Sequence, residues 1–283
     1  MRLSHVITAL EELYPPAWAE SWDAVGLVCG DPGQEVARVL FAVDPVTAVL
    51  DEALEWGADL VVTHHPLLLR PVHGVPATDP KGRLVHRMIR NGVALYTAHT
   101  NADVADPGVS DALARAVGLV GPLRPMVPSA EDPRRGLGRI GELAEPLTLR
   151  DFTARVAAGL PATAAGVRAS GDPGRTVGTV AVCGGAGDSL LGTARAAGVD
   201  VYLTADLRHH PASEFAEHGG PALVDAAHWA TEWPWLADAE RRLTALAGAG
   251  DAVAAGRHGA GKLETRVSTL GTDAWSLHDE GVK

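Results

Sequence analysis

The residues of this chain best equipped for chemistry are two adjacent histidines, His64 and His65, which follow Asp59-Leu60-Val61-Val62-Thr63 and stand directly before Pro66. A short Val/Leu run stopped by proline reads as a buried strand and its end, and in open α/β sheets ligands bind just beyond the carboxyl ends of strands. Successive side chains on a strand point to opposite faces. The pair therefore serves two ions, or one ring binds while the other orients. Tyr96-Thr97-Ala98-His99-Thr100-Asn101-Ala102-Asp103 follows a second strand and brings His99 and Asp103 to the same sheet edge, with Asp103 as the candidate carboxylate. His228 and Glu232 follow a strand ending at Asp225, and a spacing of four places both on one face of a helix. Three histidines (64, 65 and 228) with Asp103 and Glu232 form a nitrogen and oxygen donor set without sulfur, suited to Zn²⁺, Mn²⁺, Fe²⁺, Ni²⁺ or Co²⁺. Five ligands are too many for one catalytic zinc with an open position and too few to saturate two ions, so a dinuclear site completed by solvent fits the count. Two ions about 3.5–4 Å apart would supply hydroxide near neutral pH and polarise an oxygen or ring carbon of a substrate.

The elements that must position these residues alternate. Residues 3–14 carry apolar positions at helical spacing and stop at Pro15-Pro16. Residues 39–43, 59–63 and 93–98 then read as strands, with helices over 46–56, 81–90 and 107–117. That order predicts a largely parallel sheet. Residues 118–135, rich in Pro, Gly and charge, read as a crossing between two halves. Beyond it, strands over 177–182, 200–204 and 222–225 alternate with helices over 189–197 and 209–218. Gly57-Ala58-Asp59-Leu60-Val61-Val62-Thr63 aligns with Gly198-Val199-Asp200-Val201-Tyr202-Leu203-Thr204, and the strand at Val39 aligns at the same offset with that at Val180. This is the mark of a degenerate internal duplication. The expected fold is α/β, with two similar lobes, largely parallel sheets and a metal site in the cleft between them. The lobes are placed at residues 1–125 and 126–262, and a strand within 263–275 is expected to return to the first. Small residues over 245–261 predict a fraying helix end and a flexible loop.

With 283 residues, 46% of them hydrophobic, the chain can bury a sizeable core. Its 24 Lys and Arg against 35 Asp and Glu give a net charge of −11, which disfavours nucleic acid and anionic membrane as partners. Cys29 and Cys183 are too few for a disulfide framework, no apolar run is long enough for a membrane span, and a cytoplasmic location is expected.

Ser21-Trp22-Asp23-Ala24-Val25-Gly26-Leu27, Val62-Thr63-His64-His65-Pro66-Leu67, Ala98-His99-Thr100-Asn101-Ala102-Asp103 and His228-Trp229-Ala230-Thr231-Glu232 together resemble the NIF-three-like family, the GTP cyclohydrolase 1 type 2 homologues. Thr204-Ala205-Asp206-Leu207-Arg208-His209-His210 and Thr272-Asp273-Ala274-Trp275 extend the resemblance over nearly the whole chain. It implies two divalent ions on His64, His65, Asp103, His228 and Glu232, with Asp103 and Glu232 as bridges. It further implies a hexameric ring and a small-molecule substrate, GTP or another phosphate-bearing compound. Ala227 and Thr231 stand where the family pattern has Gly and Ser, and the chain has the short form, without a central insert. The competing reading is a non-enzymatic metal-binding scaffold or regulator. Outside the five, His99 reads as orienting a ligand or the substrate. His209 and His210 read as cleft-lining groups or as the exposed start of a helix. Trp22, Asp23 and Asp44 read as packing and turn residues, and Arg70, His73, Lys81 and Arg83, on or beside the loop after the histidine pair, as ordinary solvated charges more than as groups that steer a phosphate-bearing substrate. Gly184-Gly185-Ala186-Gly187-Asp188-Ser189 reads as a tight strand-to-helix turn and not a P-loop, and His5, His86, His218, His258 and His278 as bystanders.

Overall fold

The computed structural model of the chain describes residues 1–254 and 263–279, and of residues 248–254 only the helix backbone. His258 and most of the loop expected before residue 261 lie outside these residues. The chain divides into two compact units, residues 1–102 with 236–272, and residues 103–235 with 273–283.

The first unit contains α1 (Leu3–Leu13), β1 (Gly26–Cys29), β2 (Arg38–Ala42), α2 (Thr47–Trp56), β3 (Leu60–Thr63), α3 (Pro80–Arg90), β4 (Ala94–Thr97) and most of α4 (Thr100–Asp103). The second holds α5 (Val109–Ala116), β5 (Leu119–Arg124), β6 (Val127–Pro128), β7 (Gly136–Leu137), β8 (Arg139–Thr148), α6 (Leu149–Gly159) and β9 (Arg168–Ser170). It continues with β10 (Thr176–Ala186), α7 (Leu191–Ala196), β11 (Val201–Ala205), α8 (His209–Glu217), β12 (Ala222–Ala226) and the first turns of α9 (His228–Ala254). The remainder of α9 and β13 (Glu264–Val267) belong to the first unit.

The sheet of the first unit runs β1-β4-β3-β2-β13, parallel except for the antiparallel edge β1. Every residue of β3 and β4 is buried, as continuous Val/Leu runs in parallel strands require. Val49, Leu50 and Ala53 of α2 and Leu84, Val85 and Met88 of α3 pack against Leu40, Val61 and Leu95 of the strands. Gly57 ends α2 in the left-handed conformation, and the Asp79 carboxylate caps α3 at the amides of Lys81 and Gly82. In the second unit the order is β5-β8-β10-β11-β12-β9, with β10, β11 and β12 parallel and antiparallel strands outside them.

The duplication is visible in the strand register. Val39 pairs with Leu60 and Val180 with Val201, which is one offset of 141 residues on both strands. The Asp59 carboxylate accepts the amides of Ala37 and Arg38 at 2.7 and 2.9 Å, and Asp200 accepts those of Gly178 and Thr179 at 2.9 and 2.8 Å, again at that offset. Gly57 and Gly198, φ 75° and 67°, end the preceding helical segments alike.

Three differences from the sequence reading have physical causes. The segment 118–135 is not a bare crossing, because it contains β5 and β6; Gly121 and Pro122 interrupt the alternation of β5, which only an edge strand tolerates. The boundary accordingly falls at Ala102/Asp103 and not near residue 125, since β5 pairs with β8 of the second sheet. The turn after Val182 is tighter than the glycine run suggests: β10 continues, with a register shift, to Ala186, and Gly187 alone leads into the helical turn Asp188–Leu190. Among the described residues no helix is long and apolar enough to cross a membrane.

Candidate metal centre

In the first unit the parallel strands deliver three imidazoles to one point. The chain bends as β3 ends: the Thr63 hydroxyl donates to the His65 carbonyl at 2.9 Å, while the His64 and His65 amides bond the carbonyls of Ala42 and Val43. Strand alternation therefore stops at Thr63, and the expectation that the two rings face opposite ways does not hold. Potential ligand atoms of His64, His65 and His99 lie within 4.8 Å of one another. Each ring is held through Nδ1. That of His64, fully buried, lies 3.0 Å from the Ala98 carbonyl, that of His65 2.7 Å from Asp44, and that of His99 2.8 Å from Asp23. A ring held at Nδ1 by an oxygen acceptor presents Nε2 as its ligand atom.

Asp23 and Asp44 are thus more than packing and turn residues. Asp23 also accepts the amide and hydroxyl of Thr100, which tethers the start of α4. Burial disfavours its charge, but the bonds from His99 and Thr100 outweigh burial and hold the carboxyl well below the usual range. Trp22 is 57% exposed and sets its edge against the His99 ring.

In the second unit His228 opens α9 and Glu232 follows one turn later, as their spacing predicts. His228 Nε2 lies 3.0 Å from Glu232 Oε1, and its Nδ1 lies 2.7 Å from Asp206 Oδ2. The Thr231 hydroxyl donates to the His228 carbonyl at 2.7 Å and accepts the Gly185 amide at 2.9 Å, so the change from Ser keeps the group that ties α9 to β10. Asp103 closes α4. Burial pushes the Cys183 thiol up to about 12, and the charges of Asp103 and Glu232 push it the same way. Cys183 remains a thiol, in keeping with a donor set free of sulfur.

The residues fit a divalent cation on two counts. Hard and borderline donors converge, with imidazole Nε2 atoms turned inward. The backbone also leaves room for them. A Cβ on Gly185, φ 69°, would stand 2.4 Å from Glu232 Oε1 and 3.0 Å from His228 Nε2, so only glycine leaves both ligands in place.

His209 and His210, at the start of α8, are exposed and pack ring against ring with centroids 5.2 Å apart; His209 borders a groove of about 470 Å³ with Arg168 and Asp225. Arg83, in the first turn of α3, donates to the Ala77 and Thr78 carbonyls of the loop before that helix. Asp206, to which the sequence reading assigns no role, bonds a candidate ligand. It stands just beyond the end of a parallel strand, as Asp44 does with one residue between, and that shared placement was the available signal.

These features define a mixed α/β protein with histidine and carboxylate ligand sets at strand ends, able to hold a metal ion. The chain belongs to the Duf34/NIF3 family (NGG1p interacting factor 3), whose family model matches residues 1–254. It is 58% identical over 279 residues to a Streptomyces coelicolor protein named GTP cyclohydrolase 1 type 2 homolog, covering 98% of this chain and 94% of that one. A Mycobacterium bovis protein of the same name is 40% identical over 385 aligned positions, covering 99% and 98%. That length exceeds the 283 residues of this chain, so this relative carries sequence that is missing here. Among solved structures, a Staphylococcus aureus hypothetical protein shares 26% identity at a TM-score of 0.84 over 98% of this chain and 99% of that one. A Bacillus cereus protein related to NIF3, at 24% identity, shares the fold with a TM-score of 0.87 over the same shares.

Proposed function

We propose that the protein is a dinuclear divalent-metal hydrolase acting on a nucleotide or related small molecule, in which His64, His65, Asp103, His228 and Glu232 would hold the two ions. The observation that carries this reading is the convergence of His64, His65 and His99 within 4.8 Å at the carboxyl ends of parallel strands. When bound, two divalent ions activate water as a nucleophile and polarise the electrophilic centre. The chain's own residues prepare the site: Ala98, Asp44 and Asp206 hold the ligand rings at Nδ1, and Gly185 leaves space for Glu232. His99, held by Asp23, is a group that orients a ligand or the substrate. His209, at the border of the groove beside α8, and His210 are assigned the same role.

GTP is the first substrate to test, because the relatives' names point to it. Opening its ring requires addition of water at C8 and loss of formate. Protein reconstituted with Mn²⁺ or Zn²⁺ should release formate and a pterin triphosphate from GTP, and Asp103→Ala should abolish the reaction while the chain still folds. Absence of product from wild-type protein shown to hold two ions per chain would remove GTP, and product from metal-free protein would remove the metal mechanism. The reading also includes a cytoplasmic homohexamer, which light scattering on the purified chain would test.

A further inference from the structure

We propose that Asp206 is a positioning residue of this centre: its left-handed backbone presents a carboxylate to His228 Nδ1, so that Nε2 is the atom offered to a divalent cation. The inference rests on the metal-binding reading above and adds to it a residue outside the ligand set.

The first observation is conformational. Asp206 has φ 57°, and every other described residue with positive φ is a glycine. The left-handed region is strained for a residue with a Cβ, although Asp and Asn tolerate it better than most. Glycine would relieve that strain, as it does at Gly185 and Gly198 in the same unit. Burial offers no reason to retain Asp, because the side chain is 56% exposed. Its carboxylate is instead directed at His228, 2.7 Å from Nδ1. An outlying backbone conformation that persists beside a candidate ligand points to a task for the side chain.

The second observation comes from the internal repeat. At the offset of 141 that relates the strands, Asp206 occupies the sequence position of His65, whereas in β10 that register ends at Val182, where the pairing with β11 shifts before Ala186. In the first unit the histidine, His65, stands two residues beyond β3, and the carboxylate of Asp44 comes from the preceding strand end. In the second unit the residue after the central strand is the carboxylate, and the histidine comes from the following strand end. At the end of β10 the missing Cβ of Gly185 makes room for His228 and Glu232. One sequence position thus carries the imidazole in the first half and the acid in the second, yet both halves arrive at a carboxylate 2.7 Å from Nδ1. One geometry reached by two routes separates ring orientation from the local chain path.

The test strips the full-length protein with a chelator, measures its melting temperature, and titrates it with Mn²⁺ alone. Asp206→Gly should melt at or above the wild-type temperature, because strain is relieved, and should bind Mn²⁺ about 10–100-fold more weakly. Asp206→Asn accepts the same backbone and keeps an acceptor oxygen for Nδ1–H, so its affinity should recover to within about 10-fold of wild type. Wild-type affinity in Asp206→Gly would overturn the proposal, as would a melting temperature that falls together with affinity, since the residue would then serve the fold. Failure of the wild-type chain itself to bind Mn²⁺ would overturn the metal reading and this inference with it, and is distinct from binding that the glycine variant retains.

Discussion

Each candidate histidine is held at Nδ1 by an oxygen, but the acceptors differ in kind. His64 uses a backbone carbonyl, which cannot titrate, whereas His65, His99 and His228 use carboxylates. Asp23 carries the largest structural load, because its carboxylate also fixes the amide and hydroxyl of Thr100. A carboxyl held below its ordinary range contributes stability that is fully present above about pH 4 and disappears as pH falls toward the folded value. The metal-free chain should therefore lose stability as pH drops below about 4, and Asp23→Asn should flatten that loss. Removing a charged acceptor of several buried hydrogen bonds should also cost about 2–3 kcal/mol at pH 7. Urea midpoints at pH 7, 5 and 3 check both, and an unchanged pH profile in Asp23→Asn would refute the assignment of the acid-labile part to this group.

Among the elements, the segment between α4 and α5 has to be fixed if Asp103 is to be a ligand, and Arg139 of β8 does this from below. Its guanidinium is 1% exposed, donates to the carbonyls of Ala105, Gly136 and Gly138, and pairs with Asp111 at 2.8 Å. Asp111 in turn accepts the Gly108 amide at 2.8 Å and so closes the start of α5. Breaking a buried pair from one side leaves an uncompensated charge, and Arg139→Met should lower stability by about 3–5 kcal/mol. Denaturant unfolding measures this, and a loss below about 1 kcal/mol would show that the carbonyls and Asp111 find other partners. The residue was not legible in advance, because an arginine in an edge-proximal strand resembles an ordinary surface charge.

For the molecule as a whole, the duplication is a thermodynamic statement as well as a geometric one. Asp59 and Asp200 each tie two amides at the start of the strand before their own. Asp59→Ala and Asp200→Ala should therefore cost similar amounts, about 1–2 kcal/mol each. Because they belong to separate units and share no partner, the double variant should lose the sum to within about 0.5 kcal/mol. Thermal or urea melts of the three variants decide it, and costs differing severalfold would deny the equivalence.

The alternating strands and helices, the offset of 141 residues, the ends of the parallel strands and the i,i+4 pairing of His228 with Glu232 were all legible in the residue order. Each depends on local periodicity or on recurrence along the chain, which sequence carries directly. The family was legible as well, because its motifs are short and contiguous. What required tertiary structure was everything set by partners distant in sequence: the bend that turns His64 and His65 to the same side, and the acceptors Asp23, Asp44 and Asp206. The glycine at 185 and the buried Arg139 belong to the same group. Their meaning lies in atoms brought within 3 Å by chain folding, and composition and spacing are silent about such encounters.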